Sequence, residues 1–393
     1  MKKFFLWVLA IIAVSIFAAH RWAAPAKPDA FYVYVYTGQL SQRGRLLRTE
    51  PFTRGVPAGA KGYRILYGTA RANGTIVPAS ALVVVPDASA TQPRDMIAWA
   101  HGTTGIVAGC APSLFEKPFH GMPAMPEAIA AGWAVVAPDY VGLGTQGGLG
   151  GHAYLVGEEA ANAVADALRA ARQIQGVSLS TRYLTWGHSQ GGNTALWMGM
   201  RGAALAPELS QLGVAALAPA SDLKGLMRDS RTSASGKIVS AYTIRAYGAA
   251  YPDIYVASYY KPWKKLLLDD IASRCVGDLR SLFSVAETFL LPGDVFTRDP
   301  LEGPLGERLA QNSPLGPFSV PVLLTQGTTD DLVLPSVQDG YVKARCGEGA
   351  VIDYRRIDGR DHMSLVLEQE PLAEMLMQWS RERFDSKPAA GSC

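Results

Sequence analysis

One stretch constrains this chain more than any other. The apolar run Tyr183 to Trp186 enters Gly187-His188-Ser189-Gln190-Gly191-Gly192 and leaves as a helical pattern over Asn193 to Met200. A strand that becomes a helix across so short a turn crowds its own backbone. The residues two before and two after the serine must therefore be small. Gly187 and Gly191 meet that demand, so the turn is read as a strained strand-to-helix corner with Ser189 at its tip.

Other runs repeat the theme. After a polar, irregular lead-in to about Thr53, strands are expected at Tyr63 to Tyr67, Ala81 to Val85, Met96 to Ala100 and Trp133 to Ala137. The second and fourth are apolar at nearly every position, as strands covered on both faces are. A helix is expected over Glu158 to Ile174, with Glu158 and Glu159 in its first turn, where the helix dipole favours negative charge. Leu212 to Leu217 reads as a further strand. From Ser221 to about Pro317 the alternation stops, for far longer than an ordinary connection of ~4 to 6 residues. It resumes with strands at Val320 to Thr325 and Val351 to Arg355 and one closing helix from about Ser364 to Phe384. The expected fold is α/β, with a mostly parallel central sheet and helices on both faces. Its core comprises 27–220 and 318–393, and 221–317 is a largely helical cap or lid insertion.

The composition suits such a body. The chain has 393 residues, 48% hydrophobic and 18% charged, enough to bury a large core. Lys plus Arg number 37 against 34 Asp plus Glu, a net charge of +3. The basic residues are scattered and form no stripe that could track phosphates, so nucleic acid is not expected as a partner. No internal repeat is present.

Lys2 and Lys3 precede an apolar run from Phe4 to Ala19, followed by His20 and Arg21. As a helix the run reaches about 24 Å, short of a ~30 Å hydrocarbon core. This reads as an export signal over 1–26, with a cleavage site after Ala26; an uncleaved anchor is the alternative. The protein is expected in the periplasm or outside the cell. Cys110, Cys275, Cys346 and Cys393 lie outside metal-site and CxxC spacing of one another, which leaves disulfides as the reading for an exported chain. Spacing does not choose among the three pairings. Neither a metal nor an organic cofactor is implied.

A serine at such a corner can attack a carbonyl, while the backbone N–H of Gln190 at the helix start faces the developing oxyanion. It needs a base, and the order serine, acid, histidine is expected. His20, His101, His120, His152 and His188 all precede Ser189. Only His362, in Gly359-Arg360-Asp361-His362-Met363, follows it. The acid should follow the strand Val320 to Thr325, where Asp330 and Asp331 compete. Asp330 is preferred, with Asp331 as a solvated neighbour and Asp361 as a structural residue. A second oxyanion donor is expected from His101-Gly102-Thr103-Thr104-Gly105, through the N–H of Thr103 or Thr104, and a threonine hydroxyl could add a third.

The insertion is rich in large side chains: Tyr242, Tyr247, Tyr251, Tyr255, Tyr259 and Tyr260, then Trp263 and Leu266 to Leu268. Placed over the C-terminal ends of the strands, such apolar residues would line an acyl pocket. Lys261, Lys264 and Lys265 read as a solvated face, with contact to anionic lipid as the alternative.

With these residues in place, the chain resembles the secretory lipase family of the α/β-hydrolase superfamily over most of its mature length. The likeness rests on Leu47 to Phe52, Tyr63 to Tyr67, His101 to Gly105 followed by Cys110 to Ser113, and Gly132-Trp133 through Asp139-Tyr140. It extends to Gly187 to Gly192, the Asp330 segment and Arg345-Cys346. The resemblance implies an α/β-hydrolase fold, a catalytic set of Ser189, Asp330 and His362, a lid, and disulfides joining Cys110 to Cys275 and Cys346 to Cys393. It implies a serine carboxylester hydrolase acting on lipid-like or smaller esters, with transient contact between the cap and a lipid surface. Acyl transfer or amide hydrolysis on the same three residues is the alternative within enzymes. A non-catalytic lipid-binding module is the alternative outside them.

Overall fold

A computed structural model describes Trp7 and residues 23–34, 40–145, 150–277, 281–368 and 370–391. The export signal, apart from Trp7 and 23–26, and the Cys346–Cys393 pairing fall outside the described residues. No helix among the described residues is long and apolar enough to cross a membrane.

Nine strands form a single sheet: β1 (Leu46–Phe52), β2 (Ala60–Ala70), β3 (Ile76–Pro86), β4 (Arg94–Ala100), β5 (Ala134–Pro138), β6 (Leu179–His188), β7 (Ser210–Leu217), β8 (Val322–Gly327) and β9 (Ile352–Ile357). Their order is β1-β2-β3-β5-β4-β6-β7-β8-β9. The first three pair antiparallel, as does β3 with β5, and every pair from β5 to β9 is parallel. The continuous apolar runs follow from this layering. Ala98 and Ala100 of β4, with Val214 and Ala216 of β7, pack on one face beneath the helices Gly157–Ala171 and Gln190–Leu205. Their alternates Ile97, Trp99, Ala215 and Leu217 pack on the other face, against Met125–Ala130 and Leu372–Phe384. A parallel strand buried on both sides has no polar face to show.

Three expectations need correction. The lead-in is not irregular throughout, since Leu46–Phe52 is an edge strand paired to β2. The closing helix is two helices, Ser364–Leu367 and Leu372–Phe384, separated around Pro371, which interrupts a helical backbone. Of the three lysines read as a solvated face, Lys265 is exposed and Lys261 partly so, but Lys264 is not. Lys264 is fully buried, donating to the Asp294 and Pro292 carbonyls; Lys261 also reaches the Asp294 carbonyl, and Lys265 pairs with Asp269.

Among the described residues between β7 and β8 lie five α-helices, Leu223–Ser230, Ala234–Ala250, Lys265–Ala272, Ser281–Phe289 and Gly303–Asn312. Asp222 and Ser233 cap the first two by accepting from the N–H groups of Gly225 and Gly236. This stretch has its own core, in which Tyr242, Tyr247, Tyr259 and Tyr260 are buried. A disulfide between Cys110 and Cys275, 165 residues apart, fastens it to the loop after β4.

Candidate active site

The corner at Ser189 is built as its sequence requires. Ser189 has φ of 56° and ψ of −115°, a backbone conformation that L-residues avoid. Its N–H donates to Leu217 and its carbonyl accepts from Asn193 and Ala220, so the strained turn is fixed from both sides. A Cβ on Gly187 would stand 2.0 Å from the Gly191 carbonyl oxygen, and one on Gly191 would stand 1.8 Å from that of Ala100. No side chain fits at either position.

His362 lies in the loop after β9 and Asp330 in the loop after β8. His362 Nε2 is 2.8 Å from Ser189 Oγ, and His362 Nδ1 is 2.8 Å from Asp330 Oδ2. Asp330 accepts from the N–H groups of Leu332 and Val333 and from the Gln326 side-chain amide. Burial alone would raise its carboxyl pKa. The His362 bond and these N–H donors outweigh that and hold it below the ordinary 3.8. Asp330 is therefore an anion facing His362 Nδ1, which leaves Nε2 to accept from the serine hydroxyl. Asp331 is exposed and makes no such contact. Asp361 turns away, its carboxylate accepting from the N–H groups of Met363 and Ser364.

Gln190 heads the helix Gln190–Leu205, where first-turn N–H groups have no helical acceptor. The loop 101–105 runs beside it, so that a Cβ on Gly102 would lie 3.7 Å from Ser189 Cβ. Thr103 and Thr104 line the same cavity as Ser189, Gln190 and His362. The Thr104 carbonyl accepts from the N–H of Val276, next to the disulfide at Cys275.

Three side chains that sequence reasoning passed over hold this assembly. His188 Nε2 donates to the His362 carbonyl at 2.9 Å. His152 Nδ1 donates to the Val141 carbonyl, so its Nε2 accepts from the Gln190 side-chain amide at 2.9 Å. Tyr154 shares a 2.7 Å hydrogen bond with the Thr103 hydroxyl. Burial pushes His152 and His188 down to about 3, so both are neutral. His188 is flagged by its place in the motif; His152 and Tyr154 carry no local signal at all.

The cavity holds about 790 Å3. From the stretch between β7 and β8 it takes Leu226, Ile238, Val239, Val276 and Val285. Of the tyrosines expected there, Tyr242, Tyr247, Tyr259 and Tyr260 are packed in that stretch's own core instead, the Tyr242 hydroxyl donating to the Arg274 carbonyl and that of Tyr260 to the Ala241 carbonyl, while Tyr255 is exposed. Among the described residues no group of three or more His, Cys, Asp or Glu side chains could hold a metal ion.

Comparison with known proteins agrees with this architecture. A probable inactive lipase from Mycobacterium tuberculosis is 26% identical over 386 residues, covering 92% of this chain and 82% of its own length. The crystal structure of Candida antarctica lipase A superposes with a TM-score of 0.74 at 19% identity, over 94% of this chain and 89% of that one. A rice cell wall degrading esterase from Xanthomonas oryzae gives 0.70 at 20% identity, over 88% and 100%. At these identities the two structures establish the shared fold. The secretory lipase family model matches residues 122–392, well over half of the sequence. The chain belongs to the secretory lipase family, with an α/β-hydrolase fold.

Proposed function

We propose that this protein is an exported serine carboxylester hydrolase. The observation that carries the reading is the unbroken line from Ser189 Oγ through both nitrogens of His362 to Asp330, at 2.8 Å for each link. His362 Nε2 takes the hydroxyl proton as Ser189 Oγ attacks the ester carbonyl. The N–H groups of Gln190 and Thr103 stabilise the oxyanion of the tetrahedral intermediate. On collapse the alkoxide leaves with the proton from His362, and the acyl group stays on Ser189. Water then repeats the sequence, giving its proton to His362 and releasing the acid. Asp330 stabilises the imidazolium and fixes its tautomer throughout.

Residues 221–317 act as the cap in this reading, since their aliphatic side chains close one wall of the cavity over Ser189. A lipid or small ester is the proposed substrate. Trp263, Leu266, Leu282, Phe289 and Leu290 are exposed on the cap and support transient contact with a lipid surface. The disulfide supports export to an oxidising compartment.

A second reading, a non-catalytic lipid-binding protein, draws on the name of the mycobacterial relative. The intact Ser189, His362 and Asp330 geometry favours the enzyme. Hydrolysis of p-nitrophenyl esters from acetyl to palmitoyl, with Ser189→Ala as the blank, tests it. Serine-dependent turnover of some chain length is expected. Rates equal to the blank on every chain would reject ester hydrolysis, leaving amide substrates or the binding protein.

A further inference from the structure

The hydrogen-bond accounting around Thr103 identifies which hydroxyl faces the reaction. Thr103 Oγ1 and Tyr154 OH are 2.7 Å apart, and either could be the donor from position alone. Their surroundings differ. Tyr154 is only 2% exposed, and Thr103 is the sole hydrogen-bond partner its hydroxyl has among the described residues. If Thr103 donated, the phenolic O–H would be buried with no acceptor, a loss of about 1 to 3 kcal/mol in proteins generally. If Tyr154 donates, its buried proton is placed and the Thr103 O–H is left over. Thr103 is partly exposed and lines the cavity with Ser189. Its proton therefore has somewhere to go.

We infer that the Thr103 hydroxyl is a third oxyanion donor, aimed into the cavity because the buried Tyr154 hydroxyl occupies its oxygen. Gly102, the residue before it, lies against Ser189, which puts the start of this loop beside the serine. The Tyr154 phenol keeps its proton, since burial raises it well above the ordinary 10. Tyr154 also borders the cavity, but its polar atom is turned to Thr103, so it is a positioning residue that acts on the oxyanion through Thr103. Its ring also meets Tyr242 of the cap edge-on, with centroids 5.9 Å apart, and the Tyr242 hydroxyl donates to the Arg274 carbonyl. The donor is thus braced by the same cap segment that carries Cys275. The other threonine differs at its hydroxyl. Thr104 lines the cavity too, but its Oγ1 is sealed from solvent and has no partner among the described residues, so it presents no hydroxyl to the cavity.

This inference rests on the ester-hydrolase reading and extends it to one more group. The test uses Thr103→Val, Thr103→Ser, Tyr154→Phe, Thr104→Val and the double variant Thr103→Val with Tyr154→Phe. Steady-state kinetics on the best p-nitrophenyl ester and thermal midpoints are measured for each. Thr103→Val keeps the shape and backbone N–H and is expected to lower kcat about 10- to 100-fold with KM nearly unchanged, the pattern of a donor used mainly in the transition state. Thr103→Ser should restore most of the rate. Tyr154→Phe should lower kcat by about 10-fold, and the double variant should be no worse than Thr103→Val, because the two groups form one unit. Thr104→Val should lose less of kcat than Thr103→Val.

The inference is overturned if Thr103→Val turns over within twofold of the parent, or if the serine and valine variants are equally slow. It is also overturned if Thr104→Val is the slow variant, or if the two losses in the double variant multiply. A Thr103→Val protein that fails to fold leaves Thr103→Ser and Tyr154→Phe to decide: a parental rate in Tyr154→Phe then overturns it, and a tenfold loss at an unchanged thermal midpoint supports it. A parent that hydrolyses no ester fails a different claim, the ester-hydrolase reading itself.

Discussion

His188 Nε2 donates to the main-chain carbonyl of His362 at 2.9 Å, so the residue before the candidate nucleophile holds the candidate base from behind. The carbonyl can only accept, which assigns the proton to Nε2, and burial keeps the ring neutral. Ser189 and His362 are thereby tied to one another through two adjacent residues of the corner. His188→Leu is expected to lower kcat about 10- to 100-fold, since small misplacements of a reacting group are costly. His188→Gln, which returns an N–H near the same place, should recover part of the rate. Equal rates in His188→Leu and the parent, read from kcat, would remove this role.

Asp330 and Asp331 are separated by kinetics. Asp330→Asn leaves the shape intact but offers N–H where His362 needs an acceptor, and a drop of about 10^4 in kcat is expected. Asp331→Asn, on the exposed neighbour, should stay near the parental rate. Comparable losses in both would mean that the assignment of the acid is wrong.

Stability should fall on the acid side. Burial depresses His101 to about 4 and His152 and His188 to about 3, against an ordinary 6.5. Below pH 6.5 the unfolded chain therefore takes up protons that the folded chain refuses. The stability from these groups is full above 6.5 and is lost as pH falls toward their folded values, each contributing up to about 1.4 kcal/mol per pH unit. Asp139 works the other way, because burial pushes it up to about 6 and its folded form holds a proton that the unfolded form releases above 3.8. Glu287, pushed up to about 8 by burial, and Glu159, raised by burial, act in the same direction as Asp139, and the three histidines together outweigh these acids. The urea midpoint should drop clearly between pH 7 and pH 5; a midpoint that stays flat or rises would contradict the neutral histidines.

The Cys110–Cys275 bond closes a separation of 165 residues and sits beside the Val276 to Thr104 backbone bond. Chain entropy alone would make it worth about 5 kcal/mol, as an upper figure. The double variant Cys110→Ala with Cys275→Ala should melt well below the parent and, at temperatures where it is folded, turn over more slowly because the loop carrying Thr103 has lost an anchor. A lowered melting point with a parental kcat would make the bond a stabiliser only.

Much of the fold was legible because its causes are local. Gly187 is demanded by its contact with Gly191 within the corner itself, although Gly191 also has to clear the Ala100 carbonyl of β4, and the unbroken apolar runs of β3 and β5 follow from burial on both faces. His362 was legible by elimination, as the one histidine after Ser189. What stayed hidden depends on partners far away in sequence. The edge strand β1 leaves Arg48, Thr49 and Glu50 partly exposed or exposed, so no apolar pattern announces it. The choice between Asp330 and Asp331 is a matter of which carboxylate faces His362. His152 and Tyr154 acquire their roles only from Gln190 and Thr103, some 40 to 50 residues off in the chain.

The most direct test of the whole account is covalent labelling by a fluorophosphonate, read by intact-mass and peptide mass spectrometry. The probe phosphonylates a serine only where a base takes its proton and an oxyanion site receives the phosphoryl oxygen. A single adduct on Ser189 is predicted, absent in Ser189→Ala and formed far more slowly in His362→Ala. A parent protein that takes up no label, or takes it up at another residue, would contradict Ser189 as the nucleophile of this enzyme.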